Sequence, residues 1–224
     1  MVDYLIKIIH LYMDIYQAIR SYASQPLTHQ LVVSLLKDYK RPNDKVHAML
    51  TEGILESVKK GLYIAGPAIK SAKPEPFLLA NHILGPSYVS LDTALSYHGW
   101  IPERVYEVAS MTIKSNRKFN TPLGVFSYTH LSLPYYAFGI RQIQLADEQF
   151  AMMATPEKAL FDKVITTAGL TLRSRKQVLN YLLEDLRISE DRLRECDLQN
   201  MAQWVQDASK TESLSMILRT IKEL

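Results

Sequence analysis

Asn43-Asp44-Lys45-Val46-His47-Ala48-Met49-Leu50, then Gly53-Ile54-Leu55, then Lys59-Lys60-Gly61-Leu62-Tyr63: this run holds a short helix and a hairpin in immediate succession. Asn43 is a residue type that caps helices. Val46, Met49 and Leu50 follow at the spacing that sends one apolar stripe inward. Gly53 supplies the left-handed stop. The spacing places Asp44, Lys45, His47, Ala48 and Thr51 outward. Ile54–Val58 and Leu62–Ala65 are β-prone runs on either side of a basic turn, Lys59-Lys60-Gly61, which predicts two paired strands.

Upstream, residues 4–19 carry Leu5, Ile8, Ile9, Tyr12, Ile15, Tyr16 and Ile19, the period of an amphipathic helix. Thr28 can cap a second helix that buries Leu31, Val32, Leu35 and Leu36. Lys40-Arg41-Pro42 then breaks the chain. Three helices followed by a hairpin is the order of a winged helix-turn-helix, expected over residues 1–66. Lys70–Pro76, with two prolines, reads as the join to a second domain, residues 67–224. There the pattern predicts a helix over Pro76–Leu84 and another from an N-cap at Ser90 to Gly99. Strands are expected over Val105–Ser110, Val125–Leu131, Ile140–Leu145 and Phe150–Ala154. Thr155-Pro156-Glu157 is a strong helix start. Further helices begin near Ser174, Ser189, Asp197 and Thr211. The expected class is α+β: an N-terminal winged helix-turn-helix, then a mixed α/β domain with a small sheet of four strands and a helical C-terminal tail.

Composition narrows the function. Of 224 residues, 47% are hydrophobic and 22% charged, the balance of a folded chain. No apolar stretch reaches the roughly 18–20 residues of a membrane span, and no secretory signal is recognisable. Cys196 is the single cysteine, which excludes an internal disulfide. A cytoplasmic protein without membrane contact is expected. Net charge is 26 − 23 = +3, too small to argue nucleic-acid binding by itself, so its distribution matters more. Lys37, Lys40, Arg41, Lys45, Lys59 and Lys60 form one basic region. From Val108 to Ala146 there is no acidic residue, which makes Lys114, Arg117 and Lys118 a possible second basic surface.

Catalytic chemistry finds little footing. The six histidines are scattered and none pairs at metal-ligand spacing. Ser90, Asp92 and His98 imitate a hydrolytic trio, but Ser90 lacks the glycine-flanked elbow that exposes a nucleophile, and helix capping accounts for it. No glycine-rich phosphate loop and no carboxylate cluster for a divalent metal is present. No enzyme activity, cofactor or metal is expected. The binding reading is stronger: Asn43, Lys45, His47 and Thr51 have the reach to contact bases, and Lys40, Arg41, Lys59 and Lys60 can meet phosphates.

The helix-and-hairpin run resembles the winged helix of the AbiEi antitoxin family, part of the type IV toxin–antitoxin systems of prokaryotes. The resemblance continues through Pro86–Gly99, through Phe119-Asn120-Thr121-Pro122-Leu123-Gly124 with Phe126 and Tyr128, through Phe138-Gly139-Ile140, and through Ala154–Asp162. It spans about residues 27–166. It implies a winged helix that binds and represses its own promoter. It also implies a second domain that counteracts a neighbouring AbiEii-like nucleotidyltransferase toxin, with no stable complex required. No residue is carried over as catalytic. The rival reading is a stand-alone transcription regulator whose second domain senses a ligand or a protein.

Overall fold

The computed structural model describes residues 15–224; the part of the expected first helix before residue 15 lies outside them. The fold is mixed α and β, with a three-stranded sheet and a six-stranded sheet. The chain divides into two compact units. Of the described residues, the first comprises 15–83 with two short segments, 121–123 and 144–150; the second comprises 84–120, 124–143 and 151–224. The expected boundary at residue 66 falls inside the first unit.

In the first unit, α1 (residues 15–21) is followed by β1 (Leu27–Thr28), α2 (His29–Leu35), α3 (Pro42–Thr51), β2 (Leu55–Lys59) and β3 (Leu62–Ala65). Thr28 caps α2 as expected, its hydroxyl accepting from the Leu31 N–H. β3 lies between β1 and β2, antiparallel to both. Ile15, Ile19, Val32, Leu36, Val46, Met49 and Leu55 share one buried core, so the stripes read from periodicity do meet. Gly53 has φ +69°, the left-handed stop that the sequence signalled. The cap of α3 differs from expectation. Arg41, not Asn43, occupies the N-cap position, with no side-chain capping bond, and Pro42 is the first helical residue. Proline's fixed φ and missing N–H suit that position, which moves the start one residue ahead of Asn43. α4 (Pro76–Ile83) completes this unit's helices.

The second unit carries most of the six-stranded sheet, in the order β6-β7-β5-β4-β9-β8. Its strands are β4 (Ser87–Val89), β5 (Glu107–Thr112), β6 (Arg117–Thr121), β7 (Gly124–His130), β8 (Ile140–Ala146) and β9 (Gln149–Ala154). Four match sequence expectations within two residues. β4 and β6 were not foreseen: β4 is three residues long and wholly buried, leaving no alternation to detect, and β6 is charged and looks like a loop. β4 runs antiparallel to β5 and parallel to β9, and so lies in the sheet interior. α5 (Leu91–Tyr97) and α6 (Pro156–Thr166) pack on each other. The tail is helical, as expected: α7 (Arg175–Leu179), a π-helical turn (Asn180–Asp185), α8 (Glu190–Arg194), α9 (Leu198–Val205) and α10 (Thr211–Lys222). Ser174, Ser189 and Asp197 each accept the capping bond their positions predicted.

Candidate functional site

The surface of α3 and the β2–β3 turn carries the residues singled out for nucleic acid. Lys40, Arg41, Asn43, His47, Thr51 and Lys60 are exposed. Arg41 pairs with Asp44 at 3.7 Å across open solvent, a contact of little energetic weight. Two lysines are placed otherwise than expected. The side chain of Lys45 is only 15% exposed; its Nζ lies 3.8 Å from Glu52 and 5.9 Å from the centre of the Tyr39 ring. It therefore clamps the start of α3 to the α2–α3 turn and does not face outward. Lys59 is half-buried as the last residue of β2, after a bulge between Ser57 and Lys59, so the tip of the hairpin is Lys60-Gly61. That tip is anchored: the His29 N–H donates to the Gly61 carbonyl at 3.0 Å, and the His29 ring meets the Tyr63 hydroxyl at 3.3 Å. Gly61, at φ +80°, makes the turn.

One of the three charges of the second basic surface has an acidic partner. Arg117 and Lys118 lie on β6, not in a loop. Lys118 pairs with Glu107 at 2.7 Å, and the Lys114 ammonium donates to the Gly85 carbonyl. Glu107 is the residue immediately before the acid-free stretch. Glu107 on β5 and Lys118 on β6 meet across the intervening strand β7, a placement that linear sequence does not show.

A buried polar centre in the second unit gathers partners that the sequence did not join: a basic partner for Asp162 was foreseen, its burial and its hydroxyl donors were not. Lys158 and Asp162, four residues apart on α6, are both 0% exposed and joined at 2.6 Å. The Asp162 carboxylate also accepts from the Tyr135 hydroxyl at 3.0 Å, the Tyr88 hydroxyl at 2.9 Å and the Ser90 hydroxyl at 2.7 Å. Four donors thus fill its acceptor sites. The Lys158 ammonium sits 3.5 Å from the centre of the Tyr135 ring, a cation–π contact made strong by dryness. Burial pulls the Lys158 ammonium below its usual range, opposed by Asp162. Burial, reinforced by Asp162, holds the Tyr88 and Tyr135 phenols well above theirs. Gly139 lets the chain pass close by: at φ +61°, any Cβ there would lie 2.7 Å from Lys158 Cβ.

This arrangement reassigns the apparent hydrolytic trio. Ser90 takes the N-cap backbone position of α5 but makes no capping bond; its hydroxyl goes to Asp162. Asp92 pairs with Lys163, and the His98 ring meets the Ala154 carbonyl. The three bond to three different partners. Ser90→Ala should then remove a bond to a buried charge, costing about 1.5–3 kcal/mol. A urea titration of the variant measures it, and a loss under about 0.5 kcal/mol would show the bond to be dispensable. Among the described residues, no group of three His, Cys, Asp or Glu side chains is placed to hold a metal. No helix of the described residues is long and apolar enough to cross a membrane.

No family model matches the chain, and no curated protein matches it. A solved structure does. The crystal structure of the RV2827C protein from Mycobacterium tuberculosis superposes with a TM-score of 0.65, over 95% of this chain and 77% of that one, at 12% identity. At that identity the likeness concerns the fold alone.

Proposed function

We propose that this chain is a DNA-binding autorepressor and an antitoxin against a nucleotidyltransferase toxin. The order of the first unit, α1-β1-α2-α3-β2-β3 with β3 central, supports the reading of a winged helix-turn-helix. In this reading α3 enters the major groove and the β2–β3 hairpin is the wing. The observation that carries the reading is local: exposed Asn43, His47 and Thr51 on α3 are flanked by exposed Lys40 and Arg41 before it and Lys60 at the anchored hairpin tip. Base-reaching polar groups lie between point charges suited to flanking phosphates. The antitoxin half is supported by the sequence resemblance, which runs through β4, α5 and the start of α6.

Titration of a promoter duplex at several salt concentrations tests the DNA half. If Lys40 and Lys60 each neutralise one phosphate, replacing both with alanine flattens the slope of log affinity against log salt by about 1.8, and does so on random DNA alike. An unchanged slope removes both residues from the interface. The same double variant, co-expressed with the neighbouring toxin, should still restore growth, because neutralisation is assigned to the second unit. Failure of the unaltered full chain to restore growth would overturn the antitoxin half.

A further inference from the structure

We infer that α3 recognises A·T base pairs, Asn43 reading an adenine and the methyl group of Thr51 meeting a thymine methyl. This deepens the DNA-binding reading and rests on it. Asn43, His47 and Thr51 recur at four-residue spacing and are all exposed, so they form one stripe along α3. The neighbouring charged side chains of α3 are engaged. Lys45 is held by Glu52 and Tyr39, and Asp44 is paired with Arg41, which keeps its charge from opposing phosphates unscreened.

The chemistry of the stripe is specific. The Asn43 amide makes no hydrogen bond within the described residues and stands at the second position of α3. The N-terminal end of a recognition helix is the part that reaches base edges. A primary amide offers one donor and one acceptor side by side, which matches the N7 acceptor and N6 donor of adenine. Thr51 has the opposite character. Its hydroxyl donates to the His47 carbonyl at 3.1 Å, so the group it presents is its methyl, whose partner in the major groove is the thymine methyl. Eight residues separate the two, about 12 Å of helix. At about 3.4 Å per base pair that is three to four pairs. His47, midway, offers a ring N–H to a purine acceptor between them.

The test is selection of duplexes from a randomised pool by the full chain, followed by titration of the selected site. The wild type should enrich an adenine and, three to four pairs along, a thymine. Asn43→Ala should lose roughly tenfold in preference at the adenine. Asn43→Asp should move that preference toward cytosine, whose N4 is a donor, a gain that unfolding cannot imitate. Replacing the thymine by deoxyuridine deletes its methyl and should weaken the wild type roughly fourfold. Thr51→Ser, which keeps the hydroxyl and loses the methyl, should be indifferent to that replacement. A selected site without the A·T pairs, or one whose preferences survive all these variants, overturns the base assignment while leaving DNA binding intact. Failure of the wild type to bind any duplex at low salt overturns the DNA-binding reading and this assignment with it.

Discussion

Lys158→Ala is expected to cost about 3–5 kcal/mol of stability, because it leaves the Asp162 carboxylate buried without its counter-charge. Against a total of about 5–15 kcal/mol for a typical domain, that brings the second unit close to its unfolding threshold at ambient temperature. The remaining donors, Tyr88, Tyr135 and Ser90, soften the loss but carry no positive charge. The double variant Lys158→Met/Asp162→Leu should fall less far than the sum of the two single losses, since neither charge is stranded. Urea unfolding followed by tryptophan fluorescence suits the measurement, as Trp100 and Trp204 both lie in the second unit and are buried. A single-variant loss under about 1 kcal/mol would mean that water reaches the carboxylate after all.

Gly66→Ala should disrupt the first unit, with a cost of about 3 kcal/mol or more. A Cβ at residue 66 would sit 2.2 Å from the Gly53 carbonyl oxygen and 2.9 Å from the Leu55 carbonyl carbon. Both obstacles are backbone, so no side-chain rotation relieves them. Relief requires opening the bonds that close the hairpin onto α3, Gly66 N–H to the Ile54 carbonyl and Ala68 N–H to the Gly53 carbonyl. Hydrogen exchange resolves the effect by region: amides of α3, β2 and β3 should lose protection while the fluorescence of Trp100 and Trp204 stays unchanged. Protection in α3 equal to that of the wild type would refute it. On the proposed reading, specific DNA binding should disappear with that protection.

The first unit was legible because its information is local. Apolar spacing, Thr28, Gly53 and the Lys60-Gly61 turn each act within a few residues, and all appear where they were read. The exceptions also have local causes: Pro42 outcompeted Asn43 for the helix start, and a bulge before Lys59 moved that lysine off the tip. Most of the second unit's strands and all its tail helix starts were legible for the same reasons. The polar centre was not. Lys158 and Asp162 are four apart, the spacing of an ordinary solvated helix pair, and nothing near them in sequence announces Tyr88, Ser90 or Tyr135. Ser90 and Tyr88 lie 72 and 74 residues from Asp162, and the partners come together only in the tertiary fold, Tyr88 from β4, Ser90 from the start of α5 and Tyr135 from a 3-10 turn. The pairing of Lys118 with Glu107 was hidden for a different reason: the two are 11 residues apart, but on β6 and β5, which β7 separates in the sheet.

Asp162 with its four donors has a consequence for how this protein can drift over generations. Any step that removes one member of the ion pair strands the other in a dry interior, so no sequence of single tolerated changes leads from this centre to an apolar one. Gly139 adds a second lock, because a larger residue there collides with the lysine stem. Asp162, its four donors and Gly139 form an entrenched unit of six residues that descendants inherit whole or replace together. Surveys of diverging homologues should therefore find Lys158, Asp162, Tyr88, Tyr135, Ser90 and Gly139 changing in concert, while the exposed face of α3, which no such network ties together, varies position by position.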